Sequence, residues 1–242
     1  MSKNILITGA SSDFGLNFIK RNSSSYDVII AHFNHSKDEL ENLKETLGSK
    51  LHLVQADLSD ENSTRMMIDD IKKMGVNITH ILHLASSKMV YNKLSKVEWS
   101  DIQNYVDIQV KSAFLVLKEF VPKMAKERYG HVVLMLTSCT CDLYPPKYNL
   151  PYVSSKYMLL GMMKSLAVDF ADKNVTINAV SPSMTQTKFL SDMPRFIAEK
   201  TADEHPLKRL AAVDDVTPMI QFLLSDDAGY ITGQNILISG GV

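Results

Sequence analysis

The sequence predicts an α/β fold: a doubly wound, parallel sheet of about seven strands flanked by helices, built as one domain over residues 1–242. Three observations predict it. Short apolar, β-branched runs alternate with longer helical patterns from end to end, the order that gives parallel strands joined by right-handed crossovers. Most of these runs are apolar throughout rather than alternating, as strands covered on both faces must be. No internal repeat, low-complexity tract or Pro/Gly/Ser-rich linker divides the 242 residues.

Taken in order, the first strand is Asn4–Thr8, followed by a small-residue turn and the helix Phe14–Asn22. Val28–His32 and Leu51–Gln55 are the next strands, leading into helices Lys37–Leu47 and Glu61–Met74. The fourth strand, His80–Leu84, precedes a long helical pattern over Val97–Arg128. His131–Thr137 feeds the helix Pro151–Asp172, and Thr176–Ser181 is the sixth strand. The segment Pro182–Leu210 then breaks the alternation. It carries Met184, Phe189, Leu190, Met193, Phe196 and Ile197 between Pro182, Pro194 and Pro206. An irregular, Met-rich excursion directly after a strand's carboxyl end reads as a lid-like substrate segment at about residues 183–210. Read more plainly, it is a surface helix pair. Helix Val213–Ser225 and strand Asn235–Ser239 complete the pattern.

Composition narrows the function. Lys and Arg total 26 against 27 Asp and Glu, a formal net charge of −1. That balance argues against nucleic acid or an anionic membrane as a partner, since either favours a basic face. No run of about 18 apolar residues is present, and a strand that begins near Ile5 leaves no room for a signal peptide. Cys139 and Cys141, one residue apart, form neither a disulfide framework nor a metal site with a second ligand pair. A reduced, cytoplasmic protein with no metal is expected.

Two ends of the sheet carry chemistry. After the first strand, Thr8-Gly9-Ala10-Ser11-Ser12-Asp13-Phe14-Gly15 opens a helix. Small residues there let the backbone approach a pyrophosphate, and the helix's free N–H groups and dipole hold its charge. After the second strand, Asn34, His35, Ser36 and Lys37 contain no carboxylate. A free ribose usually meets an acid here, so NADP is preferred over NAD. Asp57, in Gln55-Ala56-Asp57-Leu58, is placed to accept from an adenine amino group or to cap the next helix. Tyr152 and Lys156 lie four residues apart on one helix face. An ammonium about 4 Å from a phenol is worth up to ~4 kcal/mol at an effective dielectric of about 20, enough to lower a pKa near 10 by ~3. The pair therefore suits proton donation to a developing alkoxide. Ser138 reaches the same sheet edge, with Thr137, Cys139 and Thr140 as adjacent competitors.

These residues resemble the classical short-chain dehydrogenase/reductase family over essentially the whole chain, with the closest flavour that of 3-oxoacyl-acyl-carrier-protein reductases. Thr8–Gly15 looks like its TGxxxGxG loop, Gln55–Leu58 like its adenine-side Asp and Tyr152/Lys156 like its YxxxK pair. Val175–Pro182, Pro206–Leu210, Asp215-Val216 and Ile231-Thr232-Gly233 with Gly240-Gly241 match as well. The resemblance implies a single Rossmann-like domain and NADP(H)-dependent interconversion of a carbonyl and an alcohol. Ser138 would polarise the carbonyl, Tyr152 protonate it, and Lys156 hold the nicotinamide ribose while lowering the tyrosine pKa. Gly9, Ser11, Ser12, Phe14, Gly15, Asn34, His35, Ser36, Asp57, Leu58, Ala85 and Pro182 would line the cofactor, with Thr187 at its carboxamide.

The departures are as specific as the matches. Asp13 replaces the loop's middle glycine and adds a carboxylate near the phosphates, unless it caps the helix with its side chain turned away. The usual NNAG reads His83-Leu84-Ala85-Ser86, and Pro-Gly reads Pro182-Ser183. Gln109 stands where the family has a catalytic asparagine supporting a relay water. Ser138 precedes Tyr152 by fourteen residues, one more than usual. Ten glycines in 242 residues, against an average near ~7%, make substitution at glycine positions general. The substrate expected is a small-molecule or carrier-bound carbonyl; a catalytically weak nucleotide-binding sensor or scaffold of the same fold is the alternative. Helices near 97–128 and 151–172 are apolar in nearly every direction, so a homodimer or homotetramer packed through them is expected.

Overall fold

The computed structural model describes residues 2–89, 91–190 and 195–242; Met193 and Pro194 of the lid-like segment lie outside them. Seven strands form one parallel sheet: β1 (Asn4–Thr8), β2 (Val28–Phe33), β3 (Leu51–Gln55), β4 (His80–His83), β5 (Gly130–Met135), β6 (Val175–Pro182) and β7 (Asn235–Ile238). Their spatial order is β3-β2-β1-β4-β5-β6-β7. Alternate residues of each strand point to opposite faces, and both faces are apolar. Leu6, Ile30, Val132 and Ile177 pack under one helical layer, α3 (Glu61–Lys73), α5 (Ser112–Glu127) and α6 (Leu150–Phe170). Ile5, Ile7, Ile29 and Val133 pack under the other, α1 (Asp13–Asn22), α2 (Asp38–Leu47) and the C-terminal helix Val213–Leu223.

The chain order reverses between β1 and β4, which pair in register from Ile5↔His80 to Thr8↔His83. A crevice opens beyond the carboxyl ends of strands at such a switch point, and ligands bind there. Every loop discussed below leaves the sheet at this edge.

Two elements differ from the sequence expectation. The single long helix over Val97–Arg128 is instead α4 (Trp99–Tyr105), a π-helical turn over Val106–Lys111, and α5. The fifth strand ends at Met135 rather than Thr137, so Thr137 and Ser138 lie in the loop beyond it. Within the lid-like segment, a short 3-10 turn spans Lys188–Leu190 and α7 spans Arg195–Glu204. The final helix, Val213–Leu223, is α8. Among the described residues, no helix is long and apolar enough to cross a membrane.

Candidate active site

The β1–α1 loop is shaped by two glycines. Gly9 takes a left-handed φ of +68°, and a Cβ there would stand 3.0 Å from the backbone of Ala85. Gly15 has no room either, since a Cβ would lie 2.6 Å from the Ala10 Cα. Ser12 is the N-cap of α1: its hydroxyl donates to the Gly9 carbonyl at 2.7 Å and accepts from the Gly15 N–H at 3.2 Å. Phe14 packs at the edge of the inner core, and Ser11 is half-buried beside the loop. His32, on β2, ties this loop down. Its Nδ1 accepts from the Gly9 N–H at 3.0 Å and its Nε2 bonds the Ala56 carbonyl at 3.1 Å. Burial lowers its pKa, which keeps the imidazole neutral and able to do both.

At the next strand ends, Asn34 is half-buried while His35 and Ser36 are exposed. The Asn34 carbonyl accepts from Gln55 Nε2 at 2.8 Å. Asp57 holds its own turn: Oδ1 accepts from the Ser59 N–H at 2.9 Å and the Ser59 hydroxyl at 2.7 Å. Those bonds hold its carboxyl below the usual value. It does not cap the following helix, because Asp60 does, accepting from the Asn62 N–H at 2.9 Å. Leu58 is buried and Ala85 nearly so.

Tyr152 and Lys156 project from the first turns of α6, which begins at Leu150 with Pro151 in the position that favours helix starts. Both are buried, Tyr152 to 8% and Lys156 to 2% exposure. The Tyr152 ring packs edge-on against Tyr105 at 6.0 Å and tilted against Phe189 at 6.2 Å. The Thr137 side chain lies beside the phenol and favours its ionised form, while the Thr137 hydroxyl donates to Cys139 Sγ at 3.8 Å. Ser138, half-buried, opens the 3-10 turn that follows. The backbone puts Thr137 against the phenol because β5 ends two residues before it and the turn carries Ser138 onward. Tyr157 secures that turn, donating to the Cys139 carbonyl at 2.7 Å.

The Lys156 ammonium sits 5.5 Å from the Tyr152 ring centroid and donates to the Met135 carbonyl at 2.8 Å. Burial holds the phenol well above its ordinary value, opposed by the Thr137 side chain. Burial likewise pulls the lysine down to about 7. Desolvation is the largest influence on both groups.

Gln109 lies in the π turn with no exposed surface. Its Nε2 donates to the Ser86 hydroxyl at 3.1 Å, and its Oε1 is buried without a partner. The Gln109 carbonyl, which a π turn leaves out of regular helix bonding, is taken by His83 Nε2 at 3.0 Å. His83 Nδ1 in turn meets the Thr8 hydroxyl at 2.7 Å. The carbonyl requires an N–H at Nε2, so the ring is the neutral Nε2–H tautomer. Burial, with the Lys156 charge nearby, lowers its pKa to about 3. A cavity of about 220 Å³ lined by Lys88, Asn92, Ser100, Asp101, Asn104, Tyr105 and Pro151 adjoins this end of the site.

The segment after β6 is tied back to its surroundings. Pro182 ends the strand, and Thr185 pairs with Ala211 in an isolated parallel bridge. Thr187 donates to the Thr185 carbonyl at 3.3 Å. The Lys188 N–H donates to Asp13 Oδ2 at 2.6 Å, and its ammonium pairs with Glu39.

Comparison with known proteins follows from this geometry. Residues 22–242 match the family model described as enoyl-(acyl carrier protein) reductase. The oxidoreductase UcpA of Salmonella typhimurium is 31% identical over 99% of this chain and 94% of its own length. The chain belongs to the short-chain dehydrogenase/reductase family. The 3-oxoacyl-[acyl-carrier-protein] reductase FabG of Staphylococcus epidermidis is 25% identical over the whole chain and 99% of that protein. The solved structure of ElxO with NADP bound is 25% identical, with a TM-score of 0.85 over 99% of this chain and 98% of that one.

As a short-chain dehydrogenase/reductase, the chain is an oxidoreductase whose sequence-chosen residues fall into three groups. Tyr152, Lys156, Gln109, Ala85 and the Gly9–Gly15 loop converge on the crevice. Asn34, His35, Ser36, Asp57 and Leu58 line its β2–β3 flank, while Pro182 and Thr187 stand at its β6 side. Ser138 stands in the same loop, and its neighbour Thr137 is the hydroxyl residue whose side chain influences the Tyr152 phenol. His32 and His83 were missed. The sequence signal for His83 was present, since it begins the altered tetrapeptide His83-Leu84-Ala85-Ser86. His32 reads simply as a strand end.

Proposed function

We propose that this oxidoreductase reduces a ketone to an alcohol with NADPH, the substrate being a 3-oxoacyl thioester on a carrier or a related small ketone. The observation that carries the reading is the buried Tyr152–Lys156 pair, its ammonium 5.5 Å from the ring centroid, with the Thr137 side chain beside the phenol. The residues fit a dinucleotide. The backbone at Gly9 leaves no space for a side chain, Lys156 has spare donors beyond its single bond, and Gln109 Oε1 is unpartnered. FabG-like relatives and the NADP-bound relative support the cofactor and substrate class.

A bound reduced nicotinamide supplies the hydride. The protein's part is proton and charge control at the carbonyl oxygen. Tyr152, held protonated by burial, gives its proton to the oxygen as negative charge develops. Thr137 donates a second hydrogen bond to the same oxygen, the arrangement that stabilises an oxyanion. The phenolate left behind is then stabilised by Lys156 and reprotonated from solvent.

Exposed Phe114 on α5 and Tyr157, Met158 and Val168 on α6 support a homodimer or homotetramer packed through these helices. The test of the activity is a screen. The full chain is mixed with NADPH or NADH and offered 3-oxoacyl thioesters and small ketones, with loss of reduced-nicotinamide absorbance as readout. Turnover with at least one thioester is expected. Cofactor binding without turnover on any carbonyl would favour the sensor reading, which Gln109 and Asp13 make a specific rival.

A further inference from the structure

The loop after β2 presents no arginine to a 2′-phosphate. Its lysine, Lys37, pairs with Glu41 of α2 at 3.0 Å. The structure brings a cation to this flank from far along the chain. Lys188, in the segment after β6, is anchored at both ends of one residue. Its backbone N–H donates to Asp13, the first residue of α1, at 2.6 Å. Its ammonium reaches Glu39 in the first turn of α2. In a doubly wound sheet, the pyrophosphate lies at the start of α1 and the adenosine ribose beside the loop after β2. Lys188 thus spans the cofactor's path, its backbone at the pyrophosphate end and its charge at the ribose end.

The partners it holds are carboxylates standing where phosphates belong. Asp13 occupies the loop position that carries glycine in the family pattern. Glu39 is 48% exposed and the Lys188 side chain 70% exposed, so their ion pair is weak and easily exchanged. A phosphate monoester carries close to two negative charges and three acceptor oxygens at neutral pH, against one charge on Glu39. It competes for the ammonium on favourable terms.

We infer that Lys188 is a specificity-determining residue that reads the 2′-phosphate of the cofactor, exchanging Glu39 for it. The inference rests on the reductase reading and deepens it by naming how the phosphorylated dinucleotide is told from the plain one. It also gives the segment Thr187–Leu190 a reason to lie across the crevice. The same residue whose charge meets the phosphate is followed by Phe189, whose ring lies tilted against Tyr152 at 6.2 Å. Seating the phosphate therefore seats the aromatic wall of the catalytic tyrosine.

The test uses the full chain and the fluorescence of the reduced nicotinamide to titrate NADPH and NADH. Wild type should bind NADPH more tightly than NADH. Lys188→Met should weaken NADPH by about tenfold, the scale of one lost charge-assisted contact, and leave NADH within about twofold. Lys188→Arg should keep the preference. Glu39→Gln should tighten NADPH alone, since the competing charge is gone. Equal loss for both nucleotides in Lys188→Met, no loss in either, or a wild-type preference for NADH overturns the assignment of Lys188 and leaves the reductase reading standing. Wild type that binds neither nucleotide overturns the reductase reading and this one with it.

Discussion

Replacing Lys156 by methionine should stabilise the unliganded protein while abolishing its turnover. The ammonium is 2% exposed and makes one hydrogen bond, to the Met135 carbonyl. Burial draws its pKa from 10.5 to about 7. At ~1.4 kcal/mol per pH unit, that gap corresponds to an upper bound of about 5 kcal/mol for keeping the charge inside. The sign follows from the two states. The unfolded lysine holds its proton up to 10.5, whereas the folded one releases it near 7. The penalty is therefore complete below pH 7 and fades as the pH rises toward 10.5. Methionine fills a similar volume without charge, and the lost hydrogen bond returns about 1 kcal/mol of the gain. A net gain of about 2–4 kcal/mol at pH 7 is expected, roughly 5–10 °C in Tm for a chain of this size. Thermal unfolding of both proteins at pH 7 and pH 9.5 measures it. Wild type should gain stability between the two pH values and the variant should not. A variant less stable than wild type at pH 7, or a difference that ignores pH, refutes the reasoning.

Thr137→Ala should lower kcat by about 10²–10³, the usual scale for one oxyanion donor, whereas Thr137→Ser and Ser138→Ala should stay near wild type; the opposite ranking in a steady-state assay returns the role to Ser138. His80 and His83 are both buried and held near pKa 3, so the unfolded chain binds protons below 6.5 that the folded chain refuses. Urea unfolding from pH 6.5 to 4 should show stability falling by up to about 2.7 kcal/mol per pH unit when both contribute, and replacing His83 with Asn should flatten that slope. Phe114→Asp, on the exposed face of α5, should shift sedimentation toward the monomer; an unchanged oligomer places the contact elsewhere.

The seven strands, the glycine loop and the Tyr152/Lys156 pair were legible because each rests on local chemistry. Apolar runs mark strands covered on both faces, and i,i+4 spacing puts two side chains on one helix face. The π turn at Val106–Lys111 was not legible. One extra residue per turn leaves no compositional trace, and the carbonyl it frees is claimed by His83, 26 residues away in sequence. Thr137 and Ser138 could not be separated for a related reason: which hydroxyl faces Tyr152 depends on where β5 stops, a boundary of one or two residues. The burial that shifts Tyr152 and Lys156 in opposite senses was not legible, because spacing reports proximity but not desolvation. Asp13 is the converse case. Its carboxylate was readable as a misfit in a phosphate loop, yet its partner, Lys188, lies 175 residues further along.

The most direct test is a single turnover with NADPH already bound and a 3-oxoacyl thioester added in stopped flow, comparing wild type with Tyr152→Phe. The reductase account predicts unchanged NADPH affinity and a hydride-transfer rate lower by about 10²–10⁴ in the variant, the range for removal of a general acid. A variant that oxidises its bound NADPH as fast as wild type would contradict it.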